Sequence, residues 1–233
     1  MPDLIDRIGK LAQWLHESKY LVVFTGAGIS TESGLRDFRG PDGLWTRRDK
    51  GLPTPRQEFT AASPNAGHQA IADLQDLGKL AFLISQNVDN LHLKSGIRPE
   101  LLAELHGNLT KVRCVSCEFK LDRLEGESEC PLCGGKLVST VVNFGDSLPA
   151  KDLAESYKHS GKADLFIVVG SSLVVYPAAD MPAVALEAGA KLVIINQGKT
   201  PFDEHARLRF SEAIGRVLPP AVEQLRNLMQ KPS

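Results

Sequence analysis

A parallel α/β sheet covered by helices on both faces, with a small metal-binding module inserted in it, is the fold this sequence predicts. Three observations carry that expectation. Four apolar runs, Leu21 to Phe24, Leu80 to Ser85, Leu165 to Val169 and Lys191 to Ile195, lack the alternation of a half-exposed strand, as strands buried on both faces do. Helix-periodic stretches alternate with these runs, which is the order of a βα sheet. The chain's four cysteines form two Cys-x-x-Cys pairs, Cys114/Cys117 and Cys130/Cys133, with twelve residues between the pairs.

Taken in order, residues 3–18 carry Leu4, Ile5, Ile8, Leu11, Trp14 and Leu15 at helical spacing, so the chain opens on an amphipathic helix. The first strand follows and runs straight into Gly26-Ala27-Gly28, with Ser30, Thr31 and Glu32 reading as the first turn of a second helix. From Pro41 to Pro64 the chain is rich in Gly, Pro and charge, which predicts a flexible loop with little regular structure, anchored by Trp45, Leu52 and Phe59. Asn65 caps a helix to about Leu77. The second strand ends in Ser85-Gln86-Asn87-Val88-Asp89-Asn90. A short helix over 98–103, the Leu105-His106-Gly107-Asn108 segment and the cysteine module (110–139) follow. Val141, Val142 and Phe144 predict an extended return to the main body. Helices near 150–159 and 178–188, a short strand near 207–210 and a helix over about 214–229 complete the pattern. The domain reading is therefore one large domain (1–40, 65–109 and 140–233), a module at 110–139, and the loop at 41–64.

Composition is ordinary for a globular chain, at 42% apolar and 24% charged residues. A formal net charge of -1 gives no electrostatic pull toward nucleic acid or a membrane surface. No apolar run reaches the length of a membrane span. The acidic start, Met1-Pro2-Asp3-Leu4-Ile5-Asp6, is unlike a signal peptide, so a cytoplasmic setting is expected, or a nuclear one in a eukaryote. In that reducing setting four thiolates at this spacing fit one tetrahedral structural zinc, with a redox pair as the other reading. Cys130-Pro131-Leu132-Cys133-Gly134-Gly135 supplies the tight turn that lets two sulfurs face one metal.

Ligands of open parallel sheets bind at the carboxyl ends of the strands. Here those ends are Gly26-Ala27-Gly28, Gln86-Asn87-Val88-Asp89, Gly170-Ser171-Ser172 and Asn196-Gln197, all small or polar. Strand, glycine turn and helix start suit a phosphate, because unpaired N–H groups and the helix dipole favour an anion. The dinucleotide fingerprint is incomplete, since Gly34 comes three residues late, and a plain tight turn is the alternative. Four such ends on one sheet edge favour a dinucleotide, with Asn196 and Gln197 placed to meet a ribose or base. His106 suits a cleft as a base, although a lone histidine is more often structural. The other histidines (His16, His68, His92, His159, His205) lie in helices or loops without a clustered carboxylate. No nucleophile motif of the G-x-S-x-G type is present.

Gly26-Ala27-Gly28-Ile29-Ser30, Asp37-Phe38-Arg39-Gly40, Gln86-Asn87-Val88-Asp89, Leu105-His106-Gly107-Asn108, the cysteine pairs, Phe144-Gly145, Gly170-Ser171-Ser172 and Ile195-Asn196 together resemble the sirtuins over nearly the whole chain. These are NAD-dependent protein lysine deacylases, and the likeness is closest to the branch with the chromatin-associated members. The resemblance implies a Rossmann-like NAD-binding domain and a small zinc domain, with NAD and an acyl-lysine protein substrate meeting between them. Products would be deacylated lysine, nicotinamide and O-acyl-ADP-ribose. It assigns His106 as the general base, Asn87 to order the ribose and a water, and Gln86 to contact the ribose. Asp89 and the Ile29 backbone would hold the nicotinamide carboxamide, Phe38 would shield the reacting carbon, and Arg39, with Asp37 and Trp45, would help place the cofactor. Gly26, Ala27, Gly28, Thr31, Gly170, Ser171 and Ser172 would line the phosphates. Asn196, Gln197 and Ile214 would hold the adenosine end. Val142-Asn143-Phe144-Gly145 would pair with substrate backbone as an added strand. The zinc would be structural.

Two departures bear on function. Arg36 stands where the family usually has proline before Asp37-Phe38-Arg39. No Tyr-x-x-Arg pair of the kind that reads acidic acyl groups lies between residues 46 and 64, so acetyl or a longer apolar acyl group is expected, unless Arg47, Arg48 or Arg56 reaches the pocket. The rival readings are a protein mono-ADP-ribosyltransferase using the same NAD site, and a zinc-ribbon binding module for which NAD is only a ligand.

Overall fold

The computed structural model describes residues 3–123, 126–143 and 145–230. The main sheet has six parallel strands: β1 (Leu21–Thr25), β2 (Leu80–Ser85), β3 (Leu102–Glu104), β7 (Leu165–Val169), β8 (Lys191–Ile195) and β9 (Leu208–Phe210), in the order β3-β2-β1-β7-β8-β9. Counting this sheet alone, that is the doubly wound order 3-2-1-4-5-6, whose direction reverses between β1 and β7.

Side chains of β1 alternate between two cores. Leu21 and Val23 pack with α1 (Leu4–Glu17), α3 (Ala66–Asp76) and α7 (Leu218–Gln230), through residues such as Leu11, Ile71 and Leu225. Val22 and Phe24 pack on the other face with α6 (Met181–Glu187) and, through Leu153, α5 (Ala150–Ser160). Every residue of β1 and β7 is buried, which is why neither strand alternates in sequence. Among the described residues, no helix is long and apolar enough to cross a membrane.

The cysteine module is a three-stranded antiparallel sheet, β4 (Lys111–Cys114), β5 (Lys120–Asp122) and β6 (Leu137–Ser139), in the order β5-β4-β6. Its core is small: Val112, Leu137 and the two buried cysteines, Cys114 and Cys130. The two chain crossings into the module touch at Gly107 and Thr140. A Cβ on Gly107, whose φ is +77°, would stand 1.9 Å from the Thr140 carbonyl oxygen. The Thr140 hydroxyl donates to the Asn108 carbonyl (2.8 Å) and accepts the Asn108 N–H (3.0 Å), clamping the crossing.

Four expectations need correction. Residues 98–103 do not form one short helix: Pro99–Leu101 is a 3-10 turn, and Leu102–Glu104 extends as the edge strand β3. The segment 41–64 is not without structure, because Leu44–Asp49 forms α2 and Phe59–Ala61 a 3-10 turn. The helix after the glycine turn is a 3-10 helix, Ala27–Ser33, that Gly34 ends in a left-handed conformation. The final helix starts only at Leu218, after a 3-10 turn at Ile214–Arg216.

Candidate active site

The carboxyl ends of β1, β2, β7 and β8 open into one cleft of about 1510 Å³. Gly26, Ala27, Gly28 and Thr31 line it, as do Gln86, Asn87 and Asp89, Gly170, Ser171 and Ser172, and Asn196 and Gln197. The four polar strand ends therefore converge, as the parallel-sheet argument expects.

The glycines serve a different purpose from a bare phosphate cradle. Gly26 N–H donates to Val169 O (3.1 Å) and Gly28 N–H to Gly170 O (2.8 Å). A Cβ on Gly28 would lie 2.7 Å from Gly170 O, and one on Gly170 would lie 2.3 Å from Ile29 N. The close approach that these glycines permit is thus of one strand end to its neighbour, across the point where the sheet order reverses. Ile29 does not line the cleft. Its side chain is fully buried in the core, its N–H donates to Gly26 O, and its carbonyl accepts from Asn65 Nδ2 (2.7 Å).

His106 follows β3 and sits half-buried on the cleft wall. Its Nδ1 is 2.9 Å from the Gln86 carbonyl oxygen. A carbonyl only accepts, so Nδ1 carries the proton and Nε2 of the neutral ring is left as the base. Burial pushes the imidazole below its usual value, and the bond to Gln86 offsets this only in part. The ring is accordingly neutral at pH 7. Gln86 is itself held, since Ser171 Oγ donates to its Oε1 (2.8 Å), tying β2 to β7.

Beside it, Ser30 organises the carboxylate and amide of the β2 end. Ser30 Oγ donates to Asp89 Oδ2 (2.6 Å) and accepts from Asn87 Nδ2 (3.2 Å). Sequence reading placed Ser30 in a helix turn and in the stretch that carries the family resemblance, without giving it this role. Asn87 Oδ1 is buried and has no partner among the described residues. A buried carbonyl oxygen that lines a cleft with no donor costs roughly 1–3 kcal/mol unless a ligand or water meets it. The residues therefore fit a hydroxyl-rich ligand such as the ribose of NAD.

The loop after the glycine turn is built on Asp37-Phe38-Arg39. Leu44 N–H donates to Asp37 O and Trp45 N–H to Phe38 O, which docks α2 on this segment. The Phe38 and Trp45 rings lie 4.9 Å apart, and the Arg39 guanidinium sits 4.6 Å over Trp45 and 3.3 Å from Asp49. Asp37 Oδ1 accepts the Gly40 N–H (2.9 Å). Asp37, Phe38, Arg39 and Trp45 all line the cleft, and so does Arg36. Arg47, Arg48 and Arg56 do not. At the far end, Asn196 Nδ2 donates to Gly198 O (2.9 Å), and Ile214 completes the wall.

On the other rim, Val142 N–H donates to His106 O (3.0 Å). The expected extended piece stops there. Asn143 closes a turn onto Asp146, with Asp146 N–H on Asn143 O (3.1 Å) and the Asn143 N–H on Asp146 Oδ2 (3.0 Å), and Gly145 takes a φ of +91°. Phe144 lies outside the described residues. The expectation about the other histidines also needs correction: His159 Nε2 is 3.3 Å from Glu155 Oε2, and His68 feels the charge of Asp89.

The sulfurs of Cys114, Cys117, Cys130 and Cys133 all lie within 4.8 Å of one another. Cys114 and Cys133 are 3.5 Å apart and Cys117 and Cys130 3.6 Å, too far for disulfides. A tetrahedral zinc with Zn–S of about 2.3 Å needs sulfurs about 3.8 Å apart, so the four fit that metal.

A doubly wound sheet with a cleft at its switch point, a neutral histidine on the cleft wall and an inserted four-cysteine module are the features of a nucleotide-using enzyme class. Comparison with known proteins narrows it. The profile of the Sir2 family matches residues 26–61 and 53–177. The chain is 42% identical over 232 residues to the NAD-dependent protein deacetylase SRT1 of Arabidopsis thaliana, covering 94% of this chain and 49% of that protein. It is 42% identical over 249 residues to the NAD-dependent protein deacylase 2 of Archaeoglobus fulgidus, covering 96% of this chain and 98% of that one. It thus spans about half the length of the plant relative and nearly all of the archaeal one. A Sir2 variant solved with a deacetylated p53 peptide and 3′-O-acetyl ADP-ribose superposes with a TM-score of 0.76 at 35% identity, over 93% of this chain and 98% of that one. A Sir2–p53 peptide–NAD+ structure gives 0.71 at 37% identity, over 95% and 96%. The chain belongs to the Sir2 family, the sirtuins.

Proposed function

We propose that this chain removes acyl groups from protein lysines at the expense of NAD and one water, which releases the lysine amine after nicotinamide has left, yielding deacylated lysine, nicotinamide and O-acyl-ADP-ribose. The observation that carries the reading is the tautomer of His106. With Nδ1 committed to Gln86 O, its neutral Nε2 is the proton acceptor of the cleft, brought against the end of β2 although twenty residues separate His106 from Gln86. Bound NAD supplies the glycosidic bond whose cleavage frees nicotinamide and opens the ribose carbon to the acyl oxygen. The chain's residues do the rest. His106 Nε2 takes a proton from the ribose hydroxyls, Asn87 Oδ1 accepts a hydrogen bond there, and Phe38 packed on Trp45 keeps water from the reacting carbon. Asp89 provides the negative charge for the nicotinamide end, and Gly26 to Gly28 with Gly170 to Ser172 form the wall of the phosphate region.

Substrate peptide would lie along Val141 and Val142, whose backbone is joined to His106 through the Val142 N–H. Arg47, Arg48 and Arg56 stay off the cleft lining and Arg39 is paired with Asp49, so a neutral or apolar acyl group, acetyl first, is the expected substrate, with Arg36 and Lys199 the lining cations that a succinyl-lysine peptide tests. The test is mass spectrometry of acetyl-, longer-acyl- and succinyl-lysine peptides incubated with the protein and labelled NAD. Release of O-acyl-ADP-ribose from the neutral substrates supports the reading. Transfer of label to protein without that product would instead favour an ADP-ribosyltransferase.

A further inference from the structure

The loop that carries Phe38, Arg39 and Trp45 leaves the body after Leu35 and returns to it at Phe59. Its stem is anchored by a small core of Leu35, Ala62 and Leu91 of α4 (Leu91–Lys94), with Phe59 packed against it. One rung further out, a side chain joins the two legs of the loop. Gln57 Oε1 accepts the Arg36 N–H (2.6 Å), and Gln57 Nε2 donates to Arg36 O (3.3 Å), between residues 21 apart in sequence. A primary amide has both a donor and an acceptor, so here it meets one backbone residue as a neighbouring strand would. The clasp depends on the Arg36 N–H, since a proline at this place would have none to give.

Above the clasp the loop is a closed frame. Arg36 immediately precedes the segment on which α2 docks through the Leu44 and Trp45 N–H groups. On the returning leg, Arg47 Nε donates to Pro53 O (2.9 Å) and Leu52 N–H to Arg47 O (2.9 Å), which joins that leg to α2 as well. Gln57 closes the base of the frame. Leu35, Arg36 and Gln57 line the main cleft and also border a second cavity of about 330 Å³, so the clasp stands as the partition between the two. Phe38 is 38% exposed, and Trp45, with its ring 4.9 Å away, belongs to the same frame. The aim of Phe38 into the cleft is therefore set by the base of the loop and not by burial in a core.

We infer that Gln57 is a positioning residue: by clasping Arg36 it holds Phe38 over the reacting carbon, and so sets whether the acyl oxygen or water captures the ribose as nicotinamide leaves. The functional half of this inference rests on the NAD-dependent reading; the clasp does not. In the productive capture the acyl oxygen bonds to the ribose carbon, and nicotinamide departs with the electron pair of the glycosidic bond. In the wasteful one a water oxygen takes that place and loses a proton to solvent. The products are then ADP-ribose and nicotinamide, and the acyl-lysine is unchanged. Opening the clasp lets the frame tilt as a unit, carrying Phe38 and Trp45 with it, while the bonds from α2 to Asp37, Phe38 and Pro53 stay made. Water then reaches the carbon that Phe38 covers.

Two variants of the full, zinc-loaded chain test this beside wild type. Gln57→Met has a similar length and no amide, whereas Gln57→Glu keeps an acceptor for the Arg36 N–H. Chromatography of products from NAD and an acetyl-lysine peptide, quenched early, gives the ratio of ADP-ribose to O-acetyl-ADP-ribose. That ratio should rise about two- to tenfold in the methionine variant, the worth of a lost neutral hydrogen bond, and less than about twofold in the glutamate variant. Hydrogen exchange at the Arg36 amide should be slow in wild type and in the glutamate variant, and faster by about the same two- to tenfold with methionine. Unchanged exchange overturns the clasp. Faster exchange with the wild-type product ratio overturns the positioning role and leaves Gln57 a merely structural residue. If Gln57→Met does not fold, Gln57→Ala and the wild-type Arg36 exchange still decide. A wild type that consumes no NAD counts against the NAD reading, while the exchange still judges the clasp.

Discussion

Replacing Gly28 with alanine distinguishes two reasons for a glycine at that place. If glycine is needed so that a ligand can approach, the folded protein should tolerate alanine and only binding should suffer. The structure argues the opposite. Gly28 has no positive φ, so backbone freedom is not the issue. Its added Cβ would lie 2.7 Å from Gly170 O and 2.8 Å from Gly170 Cα, both backbone atoms that cannot swing aside. Restoring ordinary contact, which begins at 3.4 Å, requires the two strand ends to part by about 0.7 Å. That would stretch the 2.8 Å bond from Gly28 N–H to Gly170 O beyond the usual range. Overpacking at about 1–3 kcal/mol plus a hydrogen bond at about 0.5–1.5 gives a loss of roughly 2–4 kcal/mol. Urea denaturation followed by far-ultraviolet dichroism, with the zinc kept loaded, measures it, and calorimetric titration with ADP-ribose runs alongside. An alanine variant with the wild-type midpoint and greatly weakened ADP-ribose binding would refute the packing argument.

Four further outcomes follow from the site and its surroundings. His106→Ala should keep fold, zinc content and ADP-ribose binding but lose about 10²–10⁴ in single-turnover deacylation, the usual worth of a general base. Because burial lowers the His106 value and the base must be neutral, the wild-type rate should be flat above pH 7 and fall only below about 6.5; an inflection above 7 would contradict it. Chelation of zinc should abolish hydrogen-exchange protection at Val112–Cys114 and Leu137–Ser139 while Leu21–Thr25 and Leu165–Val169 stay protected; simultaneous loss in both sheets would show that the module does not unfold alone. Burial raises Glu104 from 4.5 to about 7, with the Asn108 amide (2.6 Å) opposing. The folded state then holds a proton that the unfolded chain has already lost, so stability falls as pH rises from 4.5 to 7, and Glu104→Gln should gain roughly 3 kcal/mol on wild type between pH 4 and pH 8; an equal effect at both pH values would refute this.

How much of this is visible in sequence depends on length and on locality. β1, β2, β7 and β8 are apolar runs of five or six residues, and Cys-x-x-Cys is a local motif, so both are readable without the fold. β3 has three residues and acquires its identity only by pairing with β2 at Leu83, Ile84 and Ser85. α2 has six, too few for periodicity, and it stands because Trp45 packs on Phe38 and Arg39. Within the site, His106 stands out by residue type, whereas Asn87 and Asp89 stand out as the polar end of β2 and take their expected roles from the family resemblance. Ser30 and Gln57 escape that logic, because their partners lie 21 or more residues away in another segment of the chain, and nothing local marks the pairing. The glycines were located but their neighbour was not: only the fold brings Gly170 against Gly28.

Under the deacylase reading, the placement of His106 would let one cleft serve both a nucleotide and a peptide. Three bonds or contacts fix the residue and its successor. Nδ1 is bound to Gln86 O on the β2 end, the His106 carbonyl accepts from Val142 N–H, and Gly107 presses on the Thr140 carbonyl. The first ties the base to the strand end that the nucleotide would meet. The second and third tie it to the segment leaving the cysteine module, where peptide would lie. A shift of that module therefore cannot move the peptide rim without pulling on the base, since Val142 and His106 share a hydrogen bond and Thr140 leaves Gly107 no slack. Under the deacylase reading, the four-cysteine cluster, through β6 and Thr140, would hold one rim of the cleft in register with His106.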